Sequence, residues 1–425
     1  MNSNKRIIKQ EPALRLLKLS IILSPLRCYG MILGGFNFSL FRIAGLFMII
    51  SWLAFNRRIK IYSITKYIGI ILLISVLQIS YSPYISGGYS SCLSQIYGFI
   101  WMLFASQIIM KTKDYDGVIK SIILSSIFPL FLGLYQWVIY KSTGSIPGLP
   151  FGFLVSAEGK LGLKYNIYAR ITSCFGDPAY MTTFFVGVFS IALQRVITEP
   201  LITFKDKVYK VIYISIIILV ILETVMSISV SGIVGLAVST VLFFLFYVKE
   251  FKKFAKIFSV VLLLSLGFVI YFMNSGSELI YILKFKMSTS SETMTNMYGR
   301  SEHVMNALNV WLDNPFFGGG FGSLRLNGGF SSAHSSLLTV LGQQGIFVFV
   351  LNIIILIIYP ISIFRVLKKQ NEKMFYSLFL GPFVGLMSIL ALTLGYDTLY
   401  SLDSCYVLIA VVNSFSNSYL ESKEQ

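Results

Sequence analysis

Runs of about 20 apolar residues recur along the whole chain, and that is the length an α-helix needs to cross the hydrocarbon core of a bilayer. Twelve runs are legible, at roughly 14–33, 36–55, 67–85, 93–110, 118–140, 179–197, 211–228, 230–248, 257–274, 333–359, 375–394 and 400–420. In lipid every backbone N–H and C=O must be satisfied inside the segment, so runs of this kind become helices rather than open strands. Of the 425 residues, 56% are hydrophobic and 12% charged, against roughly 25% charged in a soluble domain. One aqueous core cannot bury that much apolar surface. The predicted fold is an all-α polytopic membrane protein with about 12 transmembrane helices, organised as a single transmembrane domain over residues 1–425. The basic segment Asn4 to Lys9 resembles a signal-peptide n-region, but no small-residue cleavage pattern follows, and it reads as part of a retained anchor.

Loop charges set the orientation, because Lys and Arg are retained on the cytoplasmic side. With the N-terminus inside, the cytoplasmic segments carry 25 of the 35 Lys and Arg residues and the outer segments 8, while Arg27 and Arg42 fall inside runs. This asymmetry accounts for most of the net charge of +17 without any nucleic-acid partner. The same orientation leaves two long segments outside, 141–178 and 275–332, whereas the other outer connections are about ten residues or shorter. Both are punctuated by Gly, Pro and aromatic residues, which implies order. They are expected to contain short helices and to cap an outward-facing site. No internal repeat is visible and the loop lengths of the two halves differ, which counts against a repeat-built transporter.

The residues able to carry chemistry gather in those two segments. In the first, Arg170 precedes Gly176-Asp177-Pro178, a turn at the start of the sixth run. A guanidinium at that depth meets either a specific lipid phosphate or ordinary headgroups. In the second, residues 300–312 have helical character with an apolar stripe at Val304, Leu308 and Trp311, ended by Asn314-Pro315. The glycines of 318–322 offer backbone N–H groups that could hold an anion. His334 stands at the outer mouth of the tenth run, either as a catalytic imidazole or as a helix-start residue. Tyr81, Phe316, Phe317 and Phe321 suit sugar stacking and an interfacial aromatic belt equally well. Two charges inside runs, Arg42 and Glu223, would be costly there unless they pair with each other or with polar groups beneath the site; a snorkelling Arg42 and a protonated Glu223 are the alternative. With only two histidines, His303 and His334, and no CxxC pair among four cysteines, a multi-ligand zinc site is not expected. Cys92 and Cys174 both face the outer compartment and are candidates to pair.

In order along the chain stand Arg170-x-x-Ser173-x-Phe175-x-x-Pro178, a Ser-rich turn (Ser227, Ser229, Ser231, Gly232), Gly299-Arg300-x-Glu302, Trp311, the stretch from Asn314-Pro315-Phe316-Phe317 to Gly322, Ala333-His334-Ser335-Ser336-Leu337, and Gly342-Gln343-Gln344-Gly345-Ile346. This order resembles the O-antigen polymerase and ligase superfamily over most of the chain, most specifically over 299–346. The resemblance implies a C-type glycosyltransferase of the bacterial inner membrane that works at the periplasmic face on an undecaprenyl-diphosphate-linked glycan. By the same resemblance Arg170 and Arg300 match the arginine motifs and His334 the histidine motif, and neither cofactor nor metal is implied. One departure stands out: family members often carry an Arg after Ser in the Ser-rich turn, where this chain reads Ser229-Val230-Ser231. Arg325 or Lys164 is expected to replace it, and Asp177, Glu302, His303 and Arg42 complete the candidate substrate-binding set.

The chemistry asked of such a site fits these residue types. Displacing a lipid diphosphate from an anomeric carbon builds negative charge on the leaving group, and arginine's planar fork stabilises it. A neutral imidazole, with an ordinary pKa of about 6.5, accepts the proton of the attacking hydroxyl. In-line attack inverts the anomeric centre. Within the superfamily that the chain resembles, polymerases tend to be rich in Ile, Phe and Tyr, as this chain is, and often lack the full ligase-type turn motif, so the resemblance favours a polymerase of lipid-linked repeat units, with O-antigen or capsule as product. The alternatives are a ligase transferring glycan to lipid A core and, from another class, a lipid-linked oligosaccharide flippase. Expected partners are the carrier-linked glycan, membrane lipids and a polysaccharide chain-length regulator.

Overall fold

A computed structural model describes residues 11–26, 28–33, 36–56, 59–61, 63–83, 85–151, 170–199, 202–248, 295–324, 333–369, 375–394 and 403–424. The predicted ninth run, at 257–274, lies outside the described residues. In chain order the elements are α1 (Glu11–Leu23), β1 (Gly30–Leu33), β2 (Phe36–Ser39), α2 (Leu40–Phe55), α3 (Ser63–Ile79), α4 (Ile85–Thr112), α5 (Tyr115–Ser125), α6 (Ile127–Thr143), α7 (Pro178–Thr198), α8 (Phe204–Met226), α9 (Val230–Tyr247), α10 (Thr295–Asp313) and α11 (Ser336–Lys369). A π-helical turn at Phe375–Phe379, α12 (Leu380–Leu392) and α13 (Asp403–Glu424) follow.

Six of the helices found among the described residues are long and apolar enough to cross a membrane: Cys92–Thr112, Tyr115–Thr143, Pro178–Thr198, Phe204–Met226, Val230–Tyr247 and Ser336–Arg365. Leu40–Phe55, Thr65–Ile79 and Tyr376–Leu392 are apolar but shorter. The protein is a helical integral membrane protein. Six of the twelve expected runs are thus found at spanning length among the described residues, and the first run departs most from expectation. The first does not form one span: α1 stops after 13 residues, about 20 Å of rise, because Pro25 cannot continue the helix. The chain instead turns into an antiparallel hairpin with Gly30 opposite Ser39 and Leu33 opposite Phe36. The fifth run keeps its spanning length over Tyr115–Thr143, with α5 passing into α6 at Ser126, where Pro129 in the first turn of α6 has no N–H to donate back to α5.

Helix α7 forms the centre. It is buried along nearly its whole length and packs against α8, α9 and α12. Its contact with α12 is tight enough that a Cβ on Gly385 would lie 3.1 Å from the Gly187 Cα. Polar side chains buried between these helices satisfy one another: Ser190 and Ser239 hydroxyls lie 2.6 Å apart, and Gln194 donates to the Tyr376 carbonyl at 2.7 Å while accepting from the Gly381 N–H at 2.9 Å. By contrast α8 and α9 expose Ile218, Leu222, Ile233 and Val234, as lipid-facing helices do.

Charge is segregated along α7. Near its C-terminus the buried Arg195 forks between Asp116 at 2.6 Å and Glu199 at 2.9 Å, and Lys18 meets Asp114 at 2.5 Å. At its N-terminus, about 27 Å away by helical rise, Asp177 caps the helix, accepting from the Ala179 N–H at 2.7 Å.

Candidate functional site

The Asp177 end of the bundle collects the described candidate residues in two groups. The first is built on the segment before α7. Buried Gln136 of α6 holds it from below: its Oε1 accepts from the Thr172 and Ser173 N–H groups at 3.2 and 2.8 Å, and its Nε2 donates to the Ser173 carbonyl at 3.1 Å. Ser173, at φ 50, also donates its hydroxyl to the Pro129 carbonyl at 2.7 Å. Thus fixed, the chain aims Arg170 at the turn between α8 and α9, where its Nε donates to the Ser227 carbonyl at 2.9 Å and Nη2 to the Ile228 carbonyl at 3.4 Å. Ile228 sits at φ 51, an outlier for a β-branched residue. Ser229 then caps α9, accepting from the Gly232 N–H at 3.3 Å, with its hydroxyl 3.1 Å from that of Thr182.

The second group is built on α10 and the start of α11. Ala307 and Val310 of α10 pack with Leu324, Ala333 and Leu338, and Asn306 donates to the Leu324 carbonyl at 2.9 Å. This small core lays α10 against the mouth of α11. There the Ala333 N–H donates to Thr339 Oγ1 at 3.0 Å, and the Ser336 N–H to the Thr393 carbonyl at the end of α12, also at 3.0 Å. Between these anchors His334 adopts φ 54 and its ring meets that of His303, with centroids 4.7 Å apart at 47°. Three of the five non-glycine residues with positive φ among the described residues, Ser173, Ile228 and His334, lie in these site turns. Such strain persists only where the surroundings enforce it.

The glycine loop does something other than hold an anion. Helix α11 is broken at Gly345, with φ 77 and ψ −176, and the loop fills the break. The Gly319 and Gly320 N–H groups donate to the carbonyls of Gly342 and Gln343, the Ile346 N–H donates to the Pro315 carbonyl, each at 3.0 Å, and the Gly318 N–H goes to Asn314 at 2.8 Å. These three glycine amides are consumed by protein, which removes the anion-cradle reading for them. Helix α3 and the turn after it lock the arrangement: Gln78 donates to the carbonyls of Phe317 at 2.7 Å and Gln344 at 3.1 Å, Gln344 donates to Ser75 Oγ at 2.6 Å, and Ser82 donates to the Phe321 carbonyl. Tyr81 adds a bond to Phe317 at 3.3 Å; partial burial raises its phenol above the ordinary value, opposed by the Gln78 hydrogen bond, so it stays a donor.

The remaining candidates separate. Arg300 lies on α10 one turn before His303, and Glu302 beside them is exposed. Lys164 and Arg325 lie outside the described residues. Asp177 serves as a helix cap. Arg42 lies in the first turn of α2 rather than well inside a span, donates to the Asn37 carbonyl at 2.7 Å and sits 5.9 Å from the Tyr97 ring centre. It does not pair with Glu223, whose fully buried carboxylate faces Gly133 of α6 and has no hydrogen-bond partner among the described residues. Nor do Cys92 and Cys174 pair: both are free and buried, and Cys174 lies instead beside Cys28, whose N–H donates to its carbonyl at 3.3 Å. Burial and the neighbouring Cys28 push the Cys174 thiol up. Gln136 and Gln78 escaped the sequence reading, although a Gln inside an apolar run, as in Leu134-Tyr135-Gln136-Trp137, is the signal that finds such a residue.

Residues 214–353 match the family model described as O-antigen ligase. The match runs from α8 through α9 and α10 into α11, so it contains the Ser-rich turn, the His303 and His334 pair and the glycine loop. It agrees with the resemblance to the O-antigen polymerase and ligase superfamily, and supports a glycosyltransferase-like enzyme that handles lipid-linked glycan. No curated protein matches the chain.

Proposed function

We propose that the protein polymerises undecaprenyl-diphosphate-linked oligosaccharide repeat units into O-antigen or capsular polysaccharide at the periplasmic face of the inner membrane, by inverting glycosyl transfer. The observation that carries this reading is the meeting of the chain's only two histidines in a strained turn, at the bundle end opposite the Arg195 ion pairs and inside the family match.

In this reading His334 is the general base that takes the proton of the attacking sugar hydroxyl, and His303 orients its ring. Arg300, one helical turn away on α10, and Arg170 neutralise the leaving diphosphate. Arg170 also answers the missing turn arginine. The Ser229-Val230-Ser231 turn carries no cation of its own, and the Arg170 guanidinium is fixed on its carbonyls, so the positive charge arrives from the neighbouring segment. A lysine in its place keeps the charge but loses the fork that spans two carbonyls. Arg170→Lys and Arg300→Lys are therefore expected to lose on the order of 10²–10³ in turnover, the scale of one removed electrostatic stabiliser. Wild-type chain lengths from both variants at equal expression sink the arginine roles.

The description of the matched model favours a second reading, ligation of the finished glycan to lipid A core. The lipopolysaccharide ladder of a deletion strain separates the two. A single repeat unit on core is the polymerase phenotype. Bare core, with glycan accumulating on the carrier, is the ligase phenotype and overturns the proposal.

A further inference from the structure

The loop that fills the break in α11 carries an apolar surface that the reaction does not use. Phe316 and Phe317 are each 60% exposed, although Gly319 and Gly320 just after them are pinned to α11. Both rings contact Phe347, with centroids 5.9 Å away at 28° and 50°. Phe347 is itself exposed, and with Val350, Ile357 and Ile361 it forms an exposed apolar stripe at helical spacing along α11, a helix long and apolar enough to cross a membrane. The phenylalanine pair thus continues a membrane-facing stripe outward past the Gly345 break. On its other side, Gln78 and Tyr81 hold the Phe317 carbonyl at the end of α3, where Leu77 is also exposed.

We propose that Phe316 and Phe317 form a wedge seated in the acyl-chain region of the outer leaflet, which fixes the loop and α10, with Arg300 and His303, at the membrane surface. The occupant follows from continuity. A stripe that meets acyl chains along α11 meets the same chains where it passes onto two adjoining rings, and aromatic and aliphatic side chains at the boundary are what interfacial segments bury. The consequence is positional. A carrier diphosphate also sits at the membrane surface, so a cap anchored there keeps its cation and imidazole at the depth where the bond is cut. The wedge rests on the membrane placement of α11 and not on glycosyl transfer.

The test is collisional accessibility in full-length protein reconstituted in nanodiscs of phosphatidylethanolamine and phosphatidylglycerol. Nitroxide labels are placed at Phe316→Cys and Phe317→Cys, with Ile218→Cys as a lipid-facing reference and Ser145→Cys as an exposed reference. The four native cysteines are buried and leave a low background. Oxygen is expected to relax labels 316 and 317 several-fold more effectively than a water-soluble nickel chelate does, as at 218 and opposite to 145. Relaxation dominated by the chelate, or weak relaxation by both reagents, overturns the wedge. Should the cysteine variants fail to purify, Phe317→Trp in bilayers of acyl-brominated lipid gives the same answer: added emission that bromine quenches supports the wedge, and unquenched emission refutes it. An inactive protein with the lipid-type pattern would count against the proposed function and leave the wedge standing.

Discussion

His334 pays for its position in backbone strain: at φ 54 a non-glycine residue sits roughly 1–2 kcal/mol above the right-handed region. Function and stability therefore separate cleanly at this residue. His334→Gly removes the imidazole and the strain together, so its thermal stability in detergent is expected to equal or exceed wild type by up to about 1 kcal/mol. Turnover should fall by on the order of 10²–10⁴, as for the loss of a general base. A stable variant that keeps its turnover removes His334 from catalysis. His303→Ala is expected to retain a substantial part of the activity. Buried Gln136 gives the opposite pattern. Gln136→Leu strands the Thr172 and Ser173 N–H groups that it now accepts from, at a cost of about 1–3 kcal/mol, and unmoors Arg170 four residues from Cys174. A fall in the melting temperature of the purified variant, with weaker activity, is the expected result; unchanged stability would mean that the segment is held by other bonds.

The elements were legible where length and apolar content decide them and obscure where a single residue does. The runs at 179–197, 211–228 and 230–248 became α7, α8 and α9 because nothing within them competes with helical hydrogen bonding. The run at 14–33 failed at Pro25, whose effect on α1 outweighed the apolar content around it. The glycine run invited an anion-binding reading because the partners of the Gly319 and Gly320 amides, the Gly342 and Gln343 carbonyls at the break in α11, lie far along the chain and are invisible to local pattern. The same limit explains Arg42 and Glu223, whose composition suggested a pair while the fold put one beside Asn37 and the other against Gly133. Motif order singled out Arg170, Arg300 and His334 as the candidates, whereas the supports given by Gln78, Gln136 and Thr393 left no trace in it. Element-scale cost concentrates at the break: a Cβ on Gly345 would lie 2.3 Å from the Phe316 carbonyl oxygen, at a φ of +77. Gly345→Ala should therefore destabilise the protein by more than the roughly 1 kcal/mol of strain at a permissive site, read as a lower melting temperature and proteolytic exposure of the 314–322 loop.

At the scale of the whole molecule, orientation and chemistry stand together. Charged pairs built on Arg195, Asp116, Glu199, Lys18 and Asp114 mark one end of the bundle and the histidine pair marks the other, the ends that the proposed orientation assigns to the cytoplasm and the periplasm. An impermeant maleimide applied to intact spheroplasts is expected to label Ser145→Cys and Asp313→Cys, and to reach Lys207→Cys only after permeabilisation. The reverse pattern inverts the protein and removes the site from the periplasmic side on which the proposed reaction depends. The most direct measurement is the rate of elongation of undecaprenyl-diphosphate-linked repeat units by purified protein in nanodiscs. Wild type is predicted to convert them into a ladder with inverted anomeric configuration, and His334→Ala to bind them with near-wild-type affinity but elongate them more slowly by on the order of 10²–10⁴. Elongation by His334→Ala within a few-fold of wild type would contradict the account.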